Sequence, residues 1–345
     1  TSSILLNAPG VPGTVATSFD GYPMAQQGKA GKALAIAAWS SFAGGTLAAI
    51  YLLFLAPSLS KVSLSFRSPD YFALMILGLT AIAAFSSKGQ FIKAMMMVVL
   101  GLMLASVGQD SLSDITRFTF NNMNLTDGIS FVLVVMATFA MSEALTIILK
   151  RNDPTAAAKQ VSLTELGSIK IDKEERAKML KTIPRTSIIG FIIGVLPGAG
   201  ATIASFLAYG MERNLVNDKE KEKFGKGSVH GLTAPETANN AACSGAFVPL
   251  LTLGIPGSGT TAVMLGALLG FGIQPGPRLY MTNPEIFWSV IMSMYIGMVI
   301  LLILNLPLIP YIARILAVPK NFLIPLILFF SITGIYVMSF NNFDI

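Results

Sequence analysis

The sequence predicts an all-α polytopic membrane protein, an inverted-repeat secondary transporter built on broken and re-entrant helices. Composition is the first reason. The 345 residues are 53% hydrophobic and 12% charged, against about 25% charged in an ordinary soluble domain. Second, the apolar runs are long enough to cross ~30 Å of hydrocarbon at ~1.5 Å per helical residue. Third, glycine and proline interrupt two apolar stretches, Gly190–Tyr209 and Phe247–Gly266, and polar side chains gather at the interruptions. Backbone groups freed inside a bilayer are tolerated only where protein or a water-filled cavity satisfies them. Paired interruptions of this kind point to a transporter's binding site.

From the N-terminus, Leu5-Leu-Asn-Ala-Pro-Gly-Val-Pro-Gly-Thr14 is a further break. With the segment 1–30 around it, it opens a first transmembrane repeat over 1–149. Spans follow near 33–59, 71–85, 91–108 and 129–149, the 71–85 run being short enough to need tilt or a thinned bilayer. A basic linker covers 150–185 with nine Lys or Arg and five acids, and a short soluble helix is expected near 172–181. Positive charge on short loops marks the cytoplasmic side. The second repeat, 186–345, holds a re-entrant hairpin at 186–210, a broken helix at 230–274, and spans at 285–309 and 321–340. A hairpin with its tip at Leu196-Pro-Gly-Ala-Gly200 keeps the polar loop 211–228 inside, together with Arg314 and Lys320. The loop holding Lys61 and Arg67 is the one that fits the alternation poorly.

This topology crosses the 7–14 and 254–260 breaks in opposite directions. Slid by 247 residues, Leu6, Pro9, Gly10, Thr14 and Gln27 fall on Leu253, Pro256, Gly257, Thr261 and Gln274. Identity at corresponding positions of two opposed segments is the mark of an inverted repeat. The chain starts at Thr1 without a methionine, so it is expected to be a fragment of a longer protein.

The net charge of +6 sits in loops between spans; it sets topology and argues against nucleic-acid binding. One cysteine, Cys243, excludes an internal disulfide framework, and one histidine, His230, leaves no His/Cys metal cluster. No Gly-x-Ser-x-Gly elbow or paired intramembrane aspartates support an embedded enzyme. A channel would share glycine-rich breaks but conduct without saturable uptake, and a purely structural subunit would need no polar groups at them.

A helix interrupted mid-membrane presents free N–H groups and the positive end of its dipole to an anion. Unwound carbonyls could instead hold a sodium ion. The candidate substrate- or ion-binding residues are Asn7, Pro9, Gly10, Thr14, Gly198, Gly200, Thr202, Asn239, Asn240, Gly257, Ser258, Thr260 and Thr261. Small residues also let helices pack closely, and membrane hydroxyls often bond back to their own helix. Each assignment therefore competes with a packing role. Thr233 with Glu236 fits a capping box, with Pro235 in the first turn. Asn239 and Asn240 then enter an apolar helix, where unpaired amides are costly. His230 reads as a loop residue at a span boundary, Cys243 as packing, Asp20 as a turn former, and Met95-Met-Met97 as lipid-facing or core.

Leu196–Gly210, Ala234-Pro-Glu-Thr-Ala-Asn-Asn-Ala-Ala242 and Pro249–Ser258 resemble the large membrane subunit of tripartite tricarboxylate transporters, the TctA family. Ser2–Gly13 with Asp20-Gly-Tyr-Pro-Met-Ala25 is similar to its other signature, and Gly334-Ile-Tyr336 leading to Asn342-Phe-Asp344 to its late motif. The chain departs from the pattern at Thr237, commonly Ala, and at Cys243. The family's earliest glycine-rich motif, the partner of Leu196–Gly200, falls before Thr1. The resemblance implies a multi-pass permease of the bacterial inner membrane that imports carboxylates on a sodium or proton gradient. It also implies a small membrane subunit and a periplasmic solute-binding protein as partners, no nucleic acid, no catalysis and no cofactor beyond the coupling ion.

Overall fold

A computed structural model describes residues 2–5, 12–64, 91–110, 115–130, 167–196 and 200–306, with isolated positions between 67 and 76, 133 and 149, and 308 and 343. The described chain is helical apart from one two-residue ladder, Gly108–Gln109 (β1) against Thr116–Arg117 (β2). The expected spans at 71–85, 129–149 and 321–340 lie largely outside the described residues, as do Arg314 and Lys320.

The chain divides into two units, of which the first comprises 1–66, 153–261 and 274–318. It opens with α1 (Ser2–Leu5), a 3₁₀ turn at Pro12–Thr14 and α2 (Val15–Met24). A π-helical turn at Ala25–Lys29 leads into α3 (Ala30–Leu64), whose 35 residues are ~52 Å long at ~1.5 Å each. The second unit holds α4 (Phe91–Ala105), the β1–β2 ladder and residues 262–273. There Asn341 donates to the Asn124 side-chain oxygen at 3.1 Å.

The basic linker ends in a helix that differs from the expected short soluble one. α5 runs unbroken from Lys173 to Val195, so the polar helix and the first arm of the hairpin are one element. Its start is capped by the Glu175 carboxylate, which accepts the Asp172 N–H at 2.9 Å. Lys32 binds Asp172 at 2.9 Å and Glu175 at 3.1 Å, fixing the α3 and α5 starts side by side. The second arm is α6 (Gly200–Leu215). Arg185 and Thr182 of α5 both meet Glu212 of α6. Partners so nearly equidistant from 198 require α5 and α6 to run antiparallel.

After α7 (Asp218–Lys221) comes α8 (Val229–Gly245), the helix around which the unit is built. It touches α2, α3, α5 and α6. Small residues make this possible. A Cβ on Gly190 or Gly194 of α5 would overlap the carbonyl oxygens of Ala238 and Ala242, and one on Gly44 of α3 would overlap that of Thr237. Ala204 and Ala208 join Ala234, Ala238 and Ala242 in a fully buried cluster. This small-on-small seam is how helices associate where apolar surroundings supply no hydrophobic drive.

The chain continues through α9 (Phe247–Leu253), α10 (Gly259–Gly270) and α11 (Leu279–Thr282) to α12 (Pro284–Asn305). α12 packs on α3, where a Cβ on Gly45 would sit 2.5 Å from Met298 Sδ. Only Phe287 and Ile291 of its 22 residues are buried, and Ile296, Val299, Ile300 and Ile303 are exposed. Among the described residues, two helical stretches, Val15–Ser58 (α2 running on into α3) and Pro284–Asn305, are long and apolar enough to cross a membrane.

Candidate substrate site

Each break ends in a helix N-terminus. Helical backbone resumes at Pro12 in the first break and at Gly259 in the last, positions 247 residues apart, the offset that aligns the two segments. Before them α1 stops at Leu5 and α9 at Leu253. α9 stops because Gly254 is left-handed (φ 71°), and its Cβ-free face lies against the Pro275 carbonyl. At the hairpin tip Gly200 has φ 59°, and a Cβ there would meet nothing within 4 Å. Its role is conformational, to turn the chain into α6, and it leaves the α6 N-terminus open.

Two of these N-termini converge. A Cβ built on Gly13, beside the start of α2, would stand 3.3 Å from Asn239 Oδ1 and 3.6 Å from Ala201. The positive ends of α2 and α6 thus meet against the middle of α8. The remaining break lies further along the same helix, where a Cβ on Gly257 would be 3.2 Å from the Ala246 Cβ. Asn239 and Ala246 are seven positions apart, ~10 Å of helix. The start of α6 thus lies by Asn239 in the middle of α8, and the Gly257 turn lies at its C-terminal end.

The candidates divide on inspection. Asn239 is half-buried and, among the described residues, its amide has no hydrogen-bond partner. Thr202 is half-buried near the α6 start, and Thr260 is exposed. Asn240 turns back on its own helix, donating to the Glu236 carbonyl at 3.0 Å. Ser258 and Thr261 cap α10 reciprocally. The Ser258 N–H donates to Thr261 Oγ1 at 2.8 Å, and the Thr261 N–H to Ser258 Oγ at 3.3 Å. Those two hydroxyls hold the turn together, so the Gly257–Gly259 backbone is what the break offers a ligand. Thr14 stands at the N-cap position of α2 without a side-chain capping bond. Asn7, Pro9, Gly10 and Gly198 lie outside the described residues.

Four expectations are corrected by geometry. Glu236 belongs to no capping box: α8 begins seven residues earlier, with Ser228 as its cap accepting the Gly231 N–H at 3.1 Å. The Glu236 carboxylate instead accepts Thr17 Oγ1 and Ser41 Oγ, each at 2.8 Å, one on each oxygen. Asp20 is not in a turn but inside α2, fully buried. Its Oδ1 accepts the N–H groups of Gly225 and Gly227 at 2.9 Å and Ser228 at 2.7 Å, and its Oδ2 accepts the Tyr209 hydroxyl at 3.0 Å. His230 lies in the buried first turn of α8, where Nδ1 is 2.9 Å from Glu212 Oε1 and 2.7 Å from Thr182 Oγ1. Cys243 is exposed on α8.

Glu212 lies near the C-terminal end of α6, fully buried. Burial raises its carboxyl, but His230, Arg185 and Thr182 together outweigh that and hold it below the usual glutamate range. Arg185 grips it with two nitrogens, Nε at 2.7 Å. Among the described residues no three His, Cys, Asp or Glu gather to hold a metal ion.

The partners of Glu236, on α2 and α3, are the contacts hardest to see from sequence. The signal at Glu236 was an acid inside an apolar helix, three and four residues before two amides, and the resemblance to a capping box masked it.

Comparison with known proteins places these features in a family. The profile of the Tripartite tricarboxylate transporter TctA family matches residues 1–345. A 52.8 kDa uncharacterized protein of the TAR-I ttuC' 3'region of Agrobacterium vitis is 41% identical over 345 residues, all of this chain and 67% of that protein. A second A. vitis protein, of the TAR-II ttuC' 3'region, is 45% identical over 156 residues, 45% of this chain and 64% of that protein. The chain thus spans about two thirds of the first relative. No solved structure matches.

Proposed function

Because this chain belongs to the tripartite tricarboxylate transporter TctA family and is a subunit of such a transporter, we propose that it is the permease of an ion-gradient-driven, binding-protein-dependent importer. In this reading it is a multi-pass protein of the bacterial inner membrane, made of two inverted repeats. A periplasmic binding protein delivers a carboxylate, and a small membrane subunit completes the complex. Sodium or protons drive transport.

The convergence of the α2 and α6 N-termini on Asn239 carries the reading. Each terminus presents roughly half a positive charge and several free N–H donors. Two of them with an amide suit an anion bearing several carboxylates. No lysine or arginine occurs in the breaks themselves, so binding by dipoles and hydrogen bonds keeps the anion releasable. Gly13, Gly200 and Gly257 let backbone approach the substrate. The equal 247-residue spacing of the two helix restarts supports the repeat, and the exposed apolar face of α12 supports a lipid setting.

The test is uptake of labelled citrate by the full-length permease reconstituted with its partner subunits, under an imposed sodium or proton gradient. Asn239→Ala removes a hydrogen bond to a charged group, ~1.5–3 kcal/mol. The half-saturating concentration is then expected to rise about tenfold to hundredfold. Unchanged kinetics in well-expressed Asn239→Ala would refute the site.

A further inference from the structure

We infer that half-buried Glu236 is the anchor of a binding site for a sodium-sized monovalent cation, between α2, α3 and α8 one helical turn from the substrate amide Asn239. This inference rests on the transport reading above for its role, though not for its chemistry.

The Glu236 carboxylate accepts one hydroxyl on each oxygen, Thr17 from α2 and Ser41 from α3. Each of these hydroxyl oxygens keeps lone pairs free for a cation beside the carboxylate. Among the described residues Glu236 has no ion-pair partner; Lys32, Lys178, Arg185 and His230 are all engaged by other acids. A charge in an apolar helix without a countercharge is costly. A cation from solution would supply the countercharge.

A second observation says which kind. Ser40, Thr233 and Thr237 are fully buried, and their hydroxyl oxygens have no hydrogen-bond partner. Thr233, Glu236, Thr237 and Asn240 recur at helical spacing on α8, and Ser40 is next to Ser41 on the facing helix. Buried orphan hydroxyls are rare. A carboxylate with two hydroxyls on it and unpartnered Thr233 three residues before it offers a hard cation oxygen ligands, and a single carboxylate suits a monovalent ion. A divalent cation takes several carboxylates, and Asp20 is already committed to backbone N–H groups.

Its place gives the site its function. Asn239 follows Glu236 by three residues, so an anion at the converging N-termini lies ~7 Å from the carboxylate. Unneutralised, Glu236 repels that anion. With a cation bound the repulsion is removed, which at this range changes anion affinity on the order of tenfold to hundredfold. Cation and substrate thus bind together through electrostatics at one turn's distance.

The experiment uses purified full-length permease at fixed pH. Radioactive sodium binding is measured first without any anion, then citrate affinity is measured in sodium and in choline chloride. Wild type is expected to bind sodium and to gain at least tenfold in citrate affinity from it. Glu236→Gln is expected to lose sodium binding and to bind citrate equally in both salts, near the sodium-loaded wild-type affinity. Thr233→Val/Thr237→Val removes the orphan oxygens without touching the carboxylate. It is expected to weaken sodium binding several-fold while citrate affinity at saturating sodium stays put. Sodium binding retained in folded Glu236→Gln, or unchanged in the threonine double variant, overturns the site. So does a wild-type citrate affinity that follows pH at constant sodium and ignores sodium itself. Sodium bound at Glu236 with no citrate binding in either salt upholds the cation site and refutes the transport reading.

Discussion

Removing the Asp20 carboxylate is expected to destabilise the fold without acting on transport chemistry, and the size of the effect follows from its four partners. In Asp20→Ala the N–H groups of Gly225, Gly227 and Ser228 lose their acceptor. Gly225 is exposed and water can replace the lost oxygen, but Ser228 is fully buried and Gly227 half-buried. An unsatisfied buried donor costs ~1–3 kcal/mol, so the loss is ~2–5 kcal/mol. Asp20→Asn keeps an acceptor but removes its charge, and should cost about 2 kcal/mol across the two buried bonds. Tyr209→Phe deletes only the 3.0 Å hydroxyl bond and should cost least, at most ~1.5–3 kcal/mol. Chemical unfolding in detergent, followed by tryptophan fluorescence, ranks the three variants. Citrate uptake per folded molecule is measured beside it and should be near wild type in Asp20→Asn. An Asp20→Ala protein as stable as wild type would falsify the latch. A stable Asp20→Asn protein that has lost uptake would instead assign Asp20 to ion coupling.

The buried Glu212 predicts an acid-sensitive hairpin base. Its carboxyl is held below the ordinary value of 4.5, so its stabilisation is fully present above that value and is lost as pH falls through the lower folded one. Glu212→Gln should flatten this part of the pH–stability profile and cost ~3 kcal/mol, the low end for breaking a buried pair because Arg185 is partly exposed. A profile of unchanged shape would contradict the pairing. Gly194→Val should abolish folded expression, since any Cβ there overlaps the Ala242 carbonyl. Gly210→Ala, which meets nothing within 4 Å, should be neutral or gain ~0.5–1 kcal/mol. Equal expression of the two would sink the small-residue seam. For topology, single cysteines at Lys173, Lys221 and Gln274 belong in a Cys243→Ala background, because Cys243 is itself exposed. An impermeant thiol reagent added outside should label position 274 alone; labelling at 221 would defeat the re-entrant hairpin.

The sequence by itself determined whatever depends on local chemistry. Apolar length and low charge declared the membrane class. Gly254 and Gly200 announced their breaks because a glycine can take the left-handed conformation that ends or redirects a helix, whereas Pro23, Pro57, Pro184 and Pro235 all sit inside helices. The antiparallel arms around position 198 follow from such a break. The Ser258–Thr261 cap was equally local and could have been read from its spacing. Tertiary structure alone decided what the charged residues do. Thr17 lies 219 positions from Glu236, and Gly227 lies 207 from Asp20. From sequence the first acid looked like a helix cap and the second like a turn residue, the commonest local uses of their types. Their real partners come from other helices, brought within 3 Å only because glycine and alanine let α3, α5 and α6 close on α8. A buried carboxylate is costly without donors, so its role is set by which donors the packing supplies, and packing is a property of the whole chain.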